Sequence, residues 1–163
     1  GVSAASVPWK GLGLERLSAP GAVVQRFRWV VDAEMLTSSE RKAVSPSFNV
    51  FFSGPVQFRP LRFEMFIHAQ AGDDTTGSTS FKKAKGRGCL ELKCLQLFSG
   101  NEALPVRFRF AVGSLPPRGP ARHDFSAKAV CGLPNAEAEW DFTAEVDPRS
   151  RSFAVLLEIV AGS

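Results

Sequence analysis

Apolar and polar residues begin to alternate at Val24 and, with breaks, keep alternating almost to the end of the chain. Phe27, Trp29 and Val31 fall on one side of an extended backbone and Arg26, Arg28 and Asp32 on the other, as a half-buried strand requires. A polar loop is expected at 37–42. Phe48, Val50 and Phe52 then alternate up to the turn signal Ser53-Gly54-Pro55. Phe63, Met65 and Ile67 continue the pattern, with Pro60 expected to interrupt that strand or place it at an edge. After a Gly/Asp/Thr/Ser loop at 71–80, Leu90, Leu92 and Cys94 alternate with Glu91 and Lys93. Val106, Phe108, Phe110 and Val112 alternate with Arg107 and Arg109, the clearest strand in the sequence. Residues 115–120 hold three prolines and read as loop, and Phe153, Val155, Leu157 and Ile159 form a closing strand. Nothing sustains a 3.6-residue period, although 135–140 has room for one helical turn. Short strands separated by Gly/Pro turns predict an all-β protein, an antiparallel β-sandwich.

The segment before this pattern is different. Residues 1–23 are rich in Gly, Ala, Ser and Pro, so the sequence divides into an extended N-terminal arm, 1–23, and a sandwich domain, 24–161. The arm is either a floppy leader or an element docked through Trp9, with Leu12, Leu14 and Leu17 helping to offset the ordering of its backbone.

Length and composition narrow the function classes. A chain of 163 residues, 44% hydrophobic and 22% charged, is one globular domain and excludes collagen-like or largely disordered readings. With no tyrosine, catalysis through a phenol is excluded. Cys89 and Cys94 stand five apart, on opposite faces of a strand, and together with Cys131, His68 and His123 they show no metal-ligand spacing. No metal and no cofactor are expected. No apolar run approaches the ~20 residues of a membrane helix, so no transmembrane segment is expected, while attachment to a membrane complex stays open. The chain opens on Gly1 and its methionines are Met35 and Met65, so the expectation is a cut start, whether by processing, by cloning or because the sequence is incomplete at that end.

Charge is unevenly placed. Between Lys82 and Lys128 there are ten basic residues and three acidic ones, whereas Glu137, Glu139, Asp141, Glu145 and Asp147 form an acidic run near the end. The sharpest local feature is a basic loop carrying Lys82, Lys83, Lys85 and Arg87 beside Gly86 and Gly88. It lacks the spacing of a P-loop. It offers nucleic acid or an anionic surface a site, yet the net charge of +4 is modest and nucleic acid is not the expected partner. A Ser-His-Asp set could draw on His123 and Asp124, but no nucleophile elbow exists, and Cys131 has no base marked by sequence. The expectation is that the chain is not an enzyme.

Phe27-x-Trp29-x-Val31, Ser45-Pro46-x-Phe48-x-Val50, the strand through Phe63 and Ile67, Pro105-Val106-Arg107-Phe108-Arg109-Phe110, and Trp140-Asp141-Phe142 follow one another in an order that resembles the MATH domain, the meprin and TRAF homology sandwich. That resemblance implies a TRAF-like sandwich of about eight antiparallel strands and a non-enzymatic protein-interaction or assembly role. It places a peptide groove at Phe108, Phe110, Trp140 and Phe142, with Arg107 and Arg109 steering the partner, which would be another protein subunit bound at the groove or by arm docking. Asp141 stands where the family has glycine, and the tyrosines that often line the groove are absent. The stand-alone domain and its basic loop also resemble single-domain sequences of algae with complex plastids. This implies a processed chloroplast protein, an accessory subunit peripheral to a larger complex such as a photosynthetic one, with a cytoplasmic protein as the alternative.

Overall fold

The alternating segments become strands, and the strands divide between two antiparallel sheets facing each other. The computed structural model describes residues 11–19, 22–52, 60–70, 79–98 and 102–161. In chain order the strands are β1 (Gly13–Arg16), β2 (Val24–Asp32), β3 (Lys42–Val44), β4 (Phe48–Phe51), β5 (Pro60–Ala69), β6 (Arg87–Cys94), β7 (Pro105–Val112), β8 (Arg118–Asp124), β9 (Val130–Gly132), β10 (Glu139–Asp141) and β11 (Ser152–Ala161). Single 3₁₀ turns occur at Ala33–Thr37, Asn135–Glu137 and Thr143–Glu145. Among the described residues no helix is long and apolar enough to cross a membrane.

The first sheet runs β1-β2-β11-β7-β8, with the closing strand at its centre. In the second, β6 and β5 are central and each edge is shared by two short strands, β10 and β9 beside β6, β3 and β4 beside β5. Among the described residues from Val24 onward there are ten strands; taking each broken edge as one strand leaves eight. The inward residues of both sheets, among them Phe27, Trp29, Phe63, Met65, Leu92, Phe110 and Leu157, form one continuous core.

Both breaks have local causes. Val44 faces Phe66 and Phe48 faces Phe63, so three residues stand against two and Ser45-Pro46-Ser47 forms a bulge. Pro46 has no N–H to give. The buried Ser45 hydroxyl bridges the bulge, accepting from the Met65 N–H at 2.9 Å and donating to the Pro46 carbonyl at 2.8 Å. At the other edge Gly132 faces Glu91 and Glu139 faces Cys89, so residues 133–138 leave the sheet opposite Leu90.

One polar side chain ties the sheets together. Gln25 on β2 is buried, and its amide acts as a strand partner for the last residue of β4. Nε2 donates to the Phe51 carbonyl at 2.7 Å and Oε1 accepts from the Phe51 N–H at 3.0 Å. Because both backbone groups of Phe51 turn toward Gln25, the missing N–H of the facing Pro60 removes no ladder bond. Arg16 of β1 reaches the same point: it donates to Gln25 Oε1 at 3.2 Å and to the Asn49 carbonyl, and its guanidinium lies over the rings of Phe27 and Phe51.

Three expectations are corrected here. The sheet begins inside the segment assigned to the arm: Gly13–Arg16 pairs with Val30–Phe27 as an edge strand. Gly11 permits this at φ +85°, where a Cβ would meet the Trp29 indole and the Val30 carbonyl. Of the three leucines, Leu14 packs against the core, while Leu12 and Leu17 are exposed. Trp9 lies outside the described residues. Secondly, the proline segment is loop only up to Pro117, since β8 starts at Arg118 and contains Pro120; as an edge strand it has one side free of ladder bonds. Thirdly, the 37–42 loop follows a 3₁₀ turn and ends in β3.

Candidate functional site

Period-two alternation sends Phe108 and Phe110 of β7 inward, with Val106 and Val112. Trp140 and Phe142 are equally buried, Phe142 packing on Phe153 with ring centroids 5.3 Å apart. The four aromatic rings assigned to a peptide groove are therefore core residues, and a partner could reach them only by opening the sandwich. Arg118 seals Trp140 from outside: its guanidinium lies 3.7 Å from the indole centroid and donates to the Glu139 and Glu137 carbonyls at 2.6 and 3.2 Å. The Trp140 indole N–H is buried without a hydrogen-bond partner.

Arg107 and Arg109 point the other way, into solvent, and strand order gives them company the sequence did not mark. On the outer face of the first sheet Arg26 and Arg28 of β2 and Arg122 of β8 are exposed beside them. Glu158 of β11 stands in register between Arg26 and Arg109. Its Oε1 accepts from Arg109 Nη2 at 2.5 Å and Nε at 3.2 Å, and its Oε2 accepts from Arg26 Nε at 3.2 Å. Burial pushes the Glu158 carboxyl up, but the bonds and charge of Arg109 and then Arg26 outweigh it and hold the group below its ordinary range. Arg28 pairs more loosely with Glu15 at 3.6 Å.

Between these arginines the surface is hollowed along β11, with a mixed polar lining at the Arg28 end and apolar floors beyond it. One hollow of about 410 Å³ lies where Arg28, Ala154 and Leu156 meet Gly113 and the Ala144–Asp147 turn. A second, of about 220 Å³, shares Leu156 with the first and adds Leu17, Ala111 and Pro117. A third, of about 260 Å³, lies beyond Arg109 and Glu158 between Arg107, Pro120 and Val160. Consecutive hollows share residues and so adjoin along β11, with the Arg26–Glu158–Arg109 ion pairs between the second and the third. Arginine over apolar surface is the composition that protein interfaces favour.

The basic loop is a tight turn. Phe81 is fully buried beneath it, and Lys85 and Gly86 both take positive φ. Lys82, Lys83 and Lys85 are exposed at its surface. Arg87 belongs to β6 instead and faces the acidic edge, 3.5 Å from Glu139 and 4.0 Å from Asp141. Most of the acidic run has local duties. Glu137 accepts from the Gly119 N–H, Glu145 from the N–H and hydroxyl of Ser114, and Asp147 from the Arg149 N–H.

The remaining polar chemistry is dispersed. His68 Nε2 lies 2.5 Å from Glu91 on the outer face of the second sheet; that hydrogen bond holds the Glu91 carboxyl low against the effect of burial. Burial first and the Glu91 charge second push the thiols of Cys89 and Cys131 up, which lowers the thiolate fraction a nucleophile needs. His123 binds the Lys128 carbonyl through Nε2 at 2.8 Å. Among the described residues no three His, Cys, Asp or Glu side chains converge as metal ligands. Neither the models of known protein families nor the curated proteins match this sequence.

Proposed function

We propose that the chain is a non-enzymatic protein-interaction module, a MATH-like sandwich that docks another subunit on the outer face of its first sheet. The observation that carries this is the pair of adjoining, arginine-flanked hollows along β11, since a face meant only for water has no use for floors of Leu156, Ala111, Pro117 and Val160. Two antiparallel sheets with eight strands from Val24 support the MATH-like reading. The setting, an accessory subunit of a larger complex and in particular a plastid one, rests on the sequence resemblance alone.

Native purification from the organism's own cells tests the module. The tagged chain is expected to migrate with other polypeptides. Leu156→Glu, which places an acid opposite Arg28 and so keeps the sheet intact, is expected to release them. A chain that purifies alone, or a folded Leu156→Glu chain that keeps every companion, would refute the proposal. A second reading is favoured by the pinned lysine turn: Lys82, Lys83 and Lys85 would hold nucleic acid or an anionic surface, with affinity falling steeply as salt rises. A gel shift at low salt that disappears in a Lys82/Lys83/Lys85→Ala chain is its expected signature.

A further inference from the structure

Arg107 and Arg122 face each other in register on β7 and β8, and both are exposed. Facing cations on an antiparallel pair repel, and strand stability alone would favour opposite charges or an apolar pair there. The neighbour of Arg107 on β11 is Val160. Two carboxylates stand diagonally, and both are engaged elsewhere. Glu158 is held by Arg109 and Arg26. Asp124 Oδ1 accepts from the Leu104 N–H at 2.8 Å and from the Ser126 N–H and hydroxyl at 3.0 and 2.7 Å. Among the described residues neither Arg107 nor Arg122 has an ion-pair partner. A local rule broken without a local gain marks a place kept for something else.

We infer that Arg107 and Arg122 form a clamp for a carboxylate of an acidic polypeptide segment, whose neighbouring apolar side chain enters the hollow bounded by Arg107, Pro120 and Val160. This rests on the interaction-module reading and names its partner's chemistry. Two guanidinium groups side by side match a carboxylate in charge and in bidentate geometry. Along β11, charged and apolar outward residues alternate as Leu156, Glu158 and Val160, so successive sites lie ~7 Å apart, the repeat of alternate side chains on an extended chain. Nucleic acid fits less well: the outward residues of this face include no aromatic side chain among the described residues, so bases have nothing to stack on.

Selection of a random peptide library against the full chain tests the clamp. Enriched peptides are expected to carry Asp or Glu two residues from an apolar side chain, to bind at least about tenfold more weakly when Arg107 and Arg122 are both glutamate, and to regain affinity for that variant when their acids become lysine. In Arg122→Glu alone, Arg107 gains an in-register partner, so the melting temperature is expected to rise while peptide binding falls. That opposite movement separates a clamp from a merely structural pair. A neutral or basic consensus, no enrichment, or equal binding to the double variant overturns the inference. So does an outcome in which only a single-stranded oligonucleotide or anionic phosphatidylserine vesicles respond to the two arginines. The module reading fails on different grounds, if the chain purifies alone from its own cells.

Discussion

Replacing Gln25 with leucine keeps the side chain's bulk and removes every hydrogen bond it makes. The N–H and carbonyl of Phe51 lose their partner, and Arg16 loses one acceptor. A buried backbone group left unpaired costs about 1–3 kcal/mol, so the two groups of Phe51 bound the loss at about 2–6 kcal/mol. Phe51 is only half-buried, and water can reach part of this site, which favours the lower end. Leucine returns about 1 kcal/mol by putting apolar surface where the amide was. The net expectation is a loss of about 2 kcal/mol. With a urea m-value of about 2 kcal/mol/M, the unfolding midpoint should drop by about 1 M with m unchanged. Hydrogen exchange supplies the local readout: the Phe51 amide, protected in the parent, should exchange freely in Gln25→Leu while the β5–β6 amides stay protected. A midpoint shift below about 0.3 M, together with a still-protected Phe51 amide, would show that another group serves Phe51 and that the amide bridge is incidental.

Glu158→Gln should lower stability by about 1 kcal/mol at neutral pH, because it weakens two in-register ion pairs at once; urea titration with and without added salt would show the difference shrinking as salt rises. Since the folded carboxyl of Glu158 lies below its ordinary value of 4.5, its contribution is present above that pH and fades as pH falls through the folded value; a parent whose extra stability over Glu158→Gln does not decline in acid would contradict the pairing. Gly86→Ala should destabilise the chain by about 2 kcal/mol, because alanine at φ +77° is strained and its Cβ would strike the Thr143 hydroxyl; thermal melting measures it. Trp140→Phe should cost only about 1–2 kcal/mol, since the smaller ring also removes an unpaired buried N–H, whereas Trp140→Ala should cost about 3–5 kcal/mol; equal losses in chemical denaturation would mean that the indole N–H is satisfied.

The strands that could be read from the sequence are those whose pattern is local. Phe27, Trp29 and Val31, or Val106 through Val112, state their buried face in their own spacing. β1 could not be read that way: Gly13-Leu14-Glu15-Arg16 holds one sizeable apolar residue, and what makes it a strand is the edge of β2 alongside it. β8 was hidden by Pro120, which only an edge position makes acceptable, and edge positions follow from topology. The site divides along the same line. That Arg107 and Arg109 point outward was legible from alternation; that Arg26 and Glu158 stand beside Arg109 depends on β11 entering between β2 and β7, with Arg26 and Glu158 132 positions apart in sequence, and that Arg122 faces Arg107 depends on β8 forming a strand despite Pro120. Phe108 and Phe110 lie inward, as their alternation with Arg107 and Arg109 requires, so the groove that the family resemblance implies has no exposed aromatic ring at those positions.

The sheet margins have a consequence for how this molecule meets its own kind. β1 is four residues long, β8 carries a proline and follows a register shift against β7, and both margins of the second sheet are interrupted. None of them offers a long, straight row of unpaired amides, the template on which β-proteins zip into fibrils. Edge-to-edge pairing between copies is disfavoured at these strands accordingly. On the broad faces, by contrast, side chains can be exchanged without disturbing the backbone ladder. Such a scaffold can change its outward surface through a few substitutions on β2, β7, β8 and β11 while its interior stays as it is.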